Sequence, residues 1–272
     1  MEFFHTATID AKDAARSPDL LTRLRRQEID GIVIKGVYDA ATCAEVRSRL
    51  EQNQHGLIRT DFPAKFAAFF YGINLNLTHP DLKDYFTEAP KFREGLQRML
   101  PGALDLEGRL TGLMSTLDGG TEYAAAPEPQ SGARYMFTTI RAHLPGGYIP
   151  AHFDDEQAAR PSYRLLLPLI QLKLFSFVLA FSKAEEGGAL QIFNLKPTQD
   201  HQRIASGDRS TAKPDLDSIE SVSFRLEPGD MIIFNSGHHL HRVTPVVGQT
   251  VRWTACSFMA ESKARDRVYC WG

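Results

Sequence analysis

The sequence predicts a mainly β fold with flanking helices: a double-stranded β-helix, or jelly-roll, core behind a helical N-terminal part. Three observations lead there. From Arg134 onward the chain is a succession of short runs rich in β-branched and aromatic residues, separated by turns such as EEGG and EPGD. Between Asn74 and Asp118 the apolar residues recur three or four apart, the spacing of one helix face. At 272 residues and 43% hydrophobic content, the chain is long enough to bury a sizeable core. We expect one domain over 1–272, its helical part about 1–130 and its jelly-roll core about 131–272.

Taken in order, SPDLLTRLRRQE opens with Ser17 as N-cap and Pro18 at the first helical position, which predicts a short amphipathic helix. DGIVIKGV is a strand bounded by Gly31 and Gly36, and Asp39 then caps a helix over DAATCAEVRSRLEQN. The first fifty residues thus read as helix, strand, helix. Separate helical segments follow at PDLKDYF, APKFREGLQRML and LDLEGRLTGLMSTL, and these should cover one side of a sheet. Gly119 to Gly132, rich in Gly, Pro and Ala, reads as a loop. The strands come next: RYMFTTIRAHL, LFSFVLAFS, GALQIFNL, SVSFRLEPGDMIIFN, LHRVTPVV and VRWTACSFMA. A long polar insertion, Lys196 to Ser218, interrupts them, and at that length it is functional or mobile rather than inert.

Composition excludes several roles. The 31 Lys and Arg nearly cancel the 33 Asp and Glu and are interspersed with them, so neither nucleic acid nor an anionic membrane surface is an expected partner. A small-molecule substrate is. Cys43, Cys256 and Cys270 lie far apart without a CxxC pair, and no basic-then-apolar leader precedes them, which points to the cytoplasm. The longest apolar run, Leu165 to Phe181, is broken by Pro168, Gln171 and Lys173 and cannot span a membrane. The oligomeric state stays open, a homodimer included.

The chemistry concentrates in PGGYIPAHFDDEQ. His152 and Asp154 stand at i and i+2, so on an extended segment both side chains leave the same face and can hold one ion. A non-haem Fe(II) site needs a third ligand on that side. In LEPGDMIIFNSGHHLHRVTPV a tight turn, an apolar strand and a histidine at the head of the next strand supply His241; His238 and His239 compete, but Leu240 and Val243 give His241 the more strand-like setting. Arg252 and Thr254, again two apart in VRWTACSF, form a clamp for a carboxylate, since guanidinium offers a planar fork of donors and the hydroxyl adds another. A dicarboxylate such as 2-oxoglutarate could reach this clamp with one end and the metal with the other.

With these elements in order, the chain resembles the Fe(II)/2-oxoglutarate-dependent oxygenases. DGIVIKGV, PDLKDYF, PGDMIIFN, HRVTPVVG and the ending VYCWG further resemble the carrier-independent enzymes that halogenate hapalindole-type alkaloids and their relatives that hydroxylate N-substituted amino acids such as N-succinyl leucine. The resemblance implies Fe(II) on His152, Asp154 and His241, with 2-oxoglutarate as co-substrate on Arg252 and Thr254, and O2. In the halogenases glycine replaces the acid ligand and leaves room for chloride. Asp154 is present here, so the resemblance implies a hydroxylase, acting on an unactivated C–H. Arg160 and Arg164, just beyond the metal pair, are candidates for a substrate carboxylate. Tyr71, Gly72 and Asn74 fall where the related enzymes contact substrate, and Arg203 and Arg209 of the insertion are candidate lid residues. The expected substrate is amino-acid-derived, an N-acyl amino acid among the options. The rivals are an alkaloid or other secondary metabolite and, outside the class, a non-catalytic jelly-roll binding protein.

Overall fold

The structure is a computed structural model that describes residues 3–53, 56–197 and 215–272. β1 (Thr6–Asp10) precedes α1 (Leu20–Arg25), β2 (Gly31–Lys35) and α2 (Ala40–Gln52). The N-terminal strand was not expected: TATID alternates exposed and partly buried positions and forms only because β2 lies beside it in parallel register. The first helix also starts later than Ser17 and Pro18 predict. Ser17 instead closes a 3-10 turn, its N–H bonded to Ala14 O, and Asp19 takes the N-cap position. A residue ahead of proline is pushed out of the helical region, and Ser17, at φ −136°, obeys that restriction. Asp39 caps α2 as read, accepting from Thr42 N–H at 2.7 Å.

β3 (Arg59–Asp61) and β4 (Ala68–Tyr71) form a hairpin, and α3 (Lys83–Met99) then merges two of the expected helical segments across Pro90. One apolar stripe of Tyr85, Ala89, Phe92, Leu96 and Met99 runs the length of α3 and holds it together despite the proline. α4 (Leu106–Thr116) is capped by Asp105 and buries Leu106, Leu110 and Met114. The stretch read as a loop contains β5 (Glu122–Ala125), drawn into parallel pairing with the last strand of the chain.

The jelly roll follows with β6 (Thr139–His143), β7 (Ile149–His152), β8 (Phe175–Ala180), β9 (Glu186–Gly187), β10 (Leu190–Phe193), β11 (Ser221–Phe224), β12 (Met231–Phe234), β13 (His241–Val243), β14 (Val246–Val247), β15 (Arg252–Glu261) and β16 (Arg267–Trp271). The major sheet runs β1-β2-β12-β8-β15-β6-β4-β3, with β16 on β15 and β5 on β16; the minor sheet runs β11-β10-β13-β7; β9 pairs β14. Strands from both halves of the chain therefore share the major sheet.

Period-two alternation sorts its side chains. Ile32, Ile34, Ile233, Phe177 and Leu179 face α1 to α4, which cover that side as the helical periodicity predicts. Val33, Ile232, Phe234 and Ala180 face inward and close on Leu190 and Ile192 of the minor sheet. Each such Val, Leu, Ile or Phe side chain contributes about 1.5–3 kcal/mol on burial. Beyond this inner cluster the two sheets part, and the polar residues of the site lie between them.

Candidate metal centre

His152 ends β7 and His241 begins β13, and the two are direct partners across the minor sheet, with ring centroids 4.4 Å apart. After His152 the chain stays extended through Phe153, whose ring turns the other way into a cluster with Phe193 and Leu240. Asp154 thus returns to the side of the histidines before the backbone turns into a 3-10 helix, and its N–H is fixed to Ser236 O at 3.1 Å. Its Oδ1 lies 3.4 Å from His152 Nε2 and 3.7 Å from His241 Nε2. One atom from each of the three residues lies within 4.8 Å of the others, close enough to share one ion.

Several observations bear on how these residues fit a metal. His152 Nδ1 contacts Pro150 O at 2.8 Å and His241 Nδ1 contacts His239 O at 3.0 Å. A carbonyl can only accept, so each Nδ1 carries a proton, and Nε2 is the nitrogen each ring turns inward. Burial, followed by the positive field of His152, pushes the pKa of His241 down to about 4, which keeps it neutral. Burial works against the Asp154 carboxylate, yet His241 and His152 outweigh it and hold its pKa below the ordinary range. Burial likewise opposes the His152 imidazolium, but contact with Asp154 prevails and raises its pKa. Asp154 Oδ1 is buried with no hydrogen-bond donor of its own among the described residues, as a carboxylate oxygen reserved for a cation would be.

The two other histidines do different work. His239 is buried with Nε2 at 2.9 Å from Asp30 Oδ1 and Phe4 against its ring, so it anchors the turn whose carbonyl orients His241. His238 is half-buried and lines a separate pocket with Arg25, Lys173 and Glu261.

Across the cavity, Arg252 and Thr254 project from β15 toward the metal side while Trp253 points to the helices. Arg252 is 7% exposed, and burial pushes its pKa down to about 10. No carboxylate pairs with it among the described residues. Its Nη1 lies 3.5 Å from Nδ1 of His143, its cross-strand partner on β6. Burial, then the charges of Arg252 and Arg141, hold the His143 pKa well below the usual value. Neutral His143 accepts from Arg252 at Nδ1, so its proton sits on Nε2, and that nitrogen is buried without a partner. A buried arginine beside an unanswered N–H is costly unless an anion completes the pair, which is what the carboxylate of a co-substrate would do.

Sequence reasoning missed His143, and with it Arg141 two residues earlier, which stands opposite Thr254 on the same face. The signal was there: in TTIRAH, polar residues at alternate positions mark one face of an otherwise apolar strand. Of the residues proposed for substrate, none lines the cavity. Arg160 is exposed and holds Gln157 Oε1 at 2.7 Å and Asn76 O at 2.9 Å; Arg164 is exposed as well. Tyr71 points to the helix side, its ring stacked on Trp253 and its hydroxyl donating to Leu50 O. Its neighbour Phe70 lies on the cavity face instead, level with Arg141. Gly72 has φ +102° and is packed by Phe92, Thr139 and Met136, and Asn74 is buried, accepting from Asn76 N–H. Arg203 and Arg209 lie outside the described residues.

A jelly roll that parts around two histidines and a carboxylate, with a buried arginine on the facing strand, is the arrangement of iron- and 2-oxoglutarate-dependent oxygenases, and this chain is an enzyme of that class. Within it, the description of the carrier-protein-independent halogenase WelO5 matches residues 3–272, and the chain belongs to that family. Solved structures similar to it include an N-substituted L-amino acid dioxygenase from Burkholderia ambifaria AMMD in complex with alpha-KG. That protein is 15% identical, with a TM-score of 0.60 over 94% of this chain and 91% of the other. The non-heme alpha-ketoglutarate-dependent epimerase SnoN from nogalamycin biosynthesis is 14% identical, with a TM-score of 0.52 over 89% and 86% of the two chains. At these identities the likeness is one of fold. No curated protein matches the chain.

Proposed function

We propose that this chain hydroxylates an unactivated C–H of a small amino-acid-derived substrate, as a single oxygenase domain working in the cytoplasm. The carrying observation is Asp154, buried with Oδ1 facing both histidines, in a family described as halogenases. A carboxylate there fills the position that a halide would need, which favours hydroxyl over halogen as the group delivered. His152, Asp154 and His241 would hold Fe(II), which leaves open positions on the cavity side. When bound, iron and 2-oxoglutarate supply the activation of O2, with 2-oxoglutarate consumed to succinate and CO2. The chain's own part is orientation. Arg252, buttressed by neutral His143, holds the distal carboxylate of 2-oxoglutarate, with Thr254 beside it, and the apolar cavity walls exclude bulk water. Three buried free cysteines suit a reducing compartment. The fold likeness to the N-substituted L-amino acid dioxygenase supports an N-acyl amino acid such as N-succinyl leucine as substrate.

The test is an oxygen-free titration of wild type and Arg252→Ala with Fe(II) and 2-oxoglutarate, followed in the charge-transfer absorption of the chelate. Loss of one charged, hydrogen-bonded contact should weaken 2-oxoglutarate by about 1.5–3 kcal/mol, roughly ten- to hundredfold, while iron still binds. An unchanged affinity would move the clamp to another residue. A panel of free and N-acylated amino acids added to the loaded protein then identifies the substrate class by which members perturb the band.

A further inference from the structure

We infer that Arg141, on β6, is the residue that binds the anionic group of the substrate; the inference rests on the oxygenase reading above. Its Cα stands opposite Thr254 on one side and Phe70 on the other, so its side chain leaves the sheet on the face that carries Arg252. The guanidinium lies 5.2 Å from the centroid of Phe70 and 5.6 Å from that of Phe258, held between two rings rather than by any hydrogen bond. Its Nε is buried without a partner, and among the described residues no carboxylate or carbonyl accepts from the group.

Charge balance gives this cation its purpose. Among the described residues, Asp154 is the sole acid lining the cavity, against Arg141 and Arg252. With a divalent ion and the 2-oxoglutarate dianion in place, one positive charge is left over. Arg252 is the buried partner of His143 and the natural seat of 2-oxoglutarate, whereas Arg141 is displaced from it by two positions along the strands, about 7 Å. That offset separates two carboxylates instead of crowding them on one fork. Arg160, the earlier candidate for this role, already holds Gln157 and Asn76 at the surface. The ligand class is therefore a carboxylate attached to an apolar body, which the rings of Phe70 and Phe258 would flank.

The experiment uses protein loaded with Fe(II) and 2-oxoglutarate without oxygen, the probes N-succinyl leucine and its uncharged dimethyl ester, and the charge-transfer band with calorimetry as readouts. Arg141→Gln should leave the 2-oxoglutarate dissociation constant within about twofold of wild type and raise that of N-succinyl leucine ten- to hundredfold, roughly one charged contact. Arg141→Lys should recover part of the loss, and the ester should bind both proteins alike. An unchanged melting temperature in the lysine variant separates lost recognition from lost folding. Failure of wild type to bind N-succinyl leucine, its undiminished binding to Arg141→Gln, or a raised 2-oxoglutarate constant in that variant each overturns the assignment. Absence of the band in loaded wild type removes the oxygenase reading itself, and this inference with it.

Discussion

A histidine gives its Nε2 to a metal only when its other nitrogen keeps the proton, and in this chain two backbone carbonyls see to that. Pro150 O and His239 O fix the tautomers of His152 and His241, so the ligand geometry depends on local backbone as much as on the side chains. His241→Ala should abolish stoichiometric Fe(II) binding, measured by metal analysis after gel filtration. His239→Ala removes a side chain but keeps the carbonyl, so it should retain iron while losing the Asp30 contact. The reverse pattern would give the third ligand to His239. At this scale the shared side of His152 and Asp154 was legible in the sequence because a strand's alternation carries i and i+2 to one side. Arg141 and His143 obey the same alternation but carry no motif, and nothing in the linear order says that β6 lies between β15 and β4.

Elements whose stability is local were readable, and those that depend on a distant partner were not. Asp39 caps α2 and Asp105 caps α4 through residues three positions on, a pattern any reader of the sequence can apply. β1, β3, β4 and β5 are short or polar and exist through their neighbours, while α3 passes over Pro90 because its buried stripe continues on both sides. The turn between β12 and β13 is tied to the start of the chain by Asp30, whose carboxylate receives His5 N–H and faces His239 Nε2. Burial opposes this carboxylate, yet the bonds from His239 and His5 prevail and its pKa is lowered from 3.8. A depressed pKa contributes stability above the unfolded-state value, and that contribution is lost as pH falls through the folded-state value. The stability gap between wild type and Asp30→Asn in urea unfolding should therefore be full at pH 7, persist to about pH 4 and shrink below it. A gap that is absent at neutral pH, or that widens in acid, would contradict this reading of the turn.

At the scale of the molecule, a two-sheet jelly roll sets His152, Asp154 and His241 at one sheet against Arg141 and Arg252 of the other, and helices seal the back of the larger sheet. The architecture followed from the β-rich second half and the helical periodicity before it. The substrate did not, because Arg141 and Phe70, the residues proposed to meet it, come from strands whose adjacency only the fold reveals. Asp154 is decisive: a chain of a halogenase family that carries this carboxylate should deliver oxygen, and Asp154→Gly should lose most of that delivery. The most direct measurement incubates the protein with Fe(II), 2-oxoglutarate, excess chloride, N-acylated aliphatic amino acids and isotopically labelled O2, and reads the products by mass spectrometry. Wild type should give one labelled oxygen atom in the product, an equal amount of succinate and no chlorinated species. A chlorinated product formed with Asp154 in place, or full hydroxylation by Asp154→Gly, would contradict this reading of Asp154.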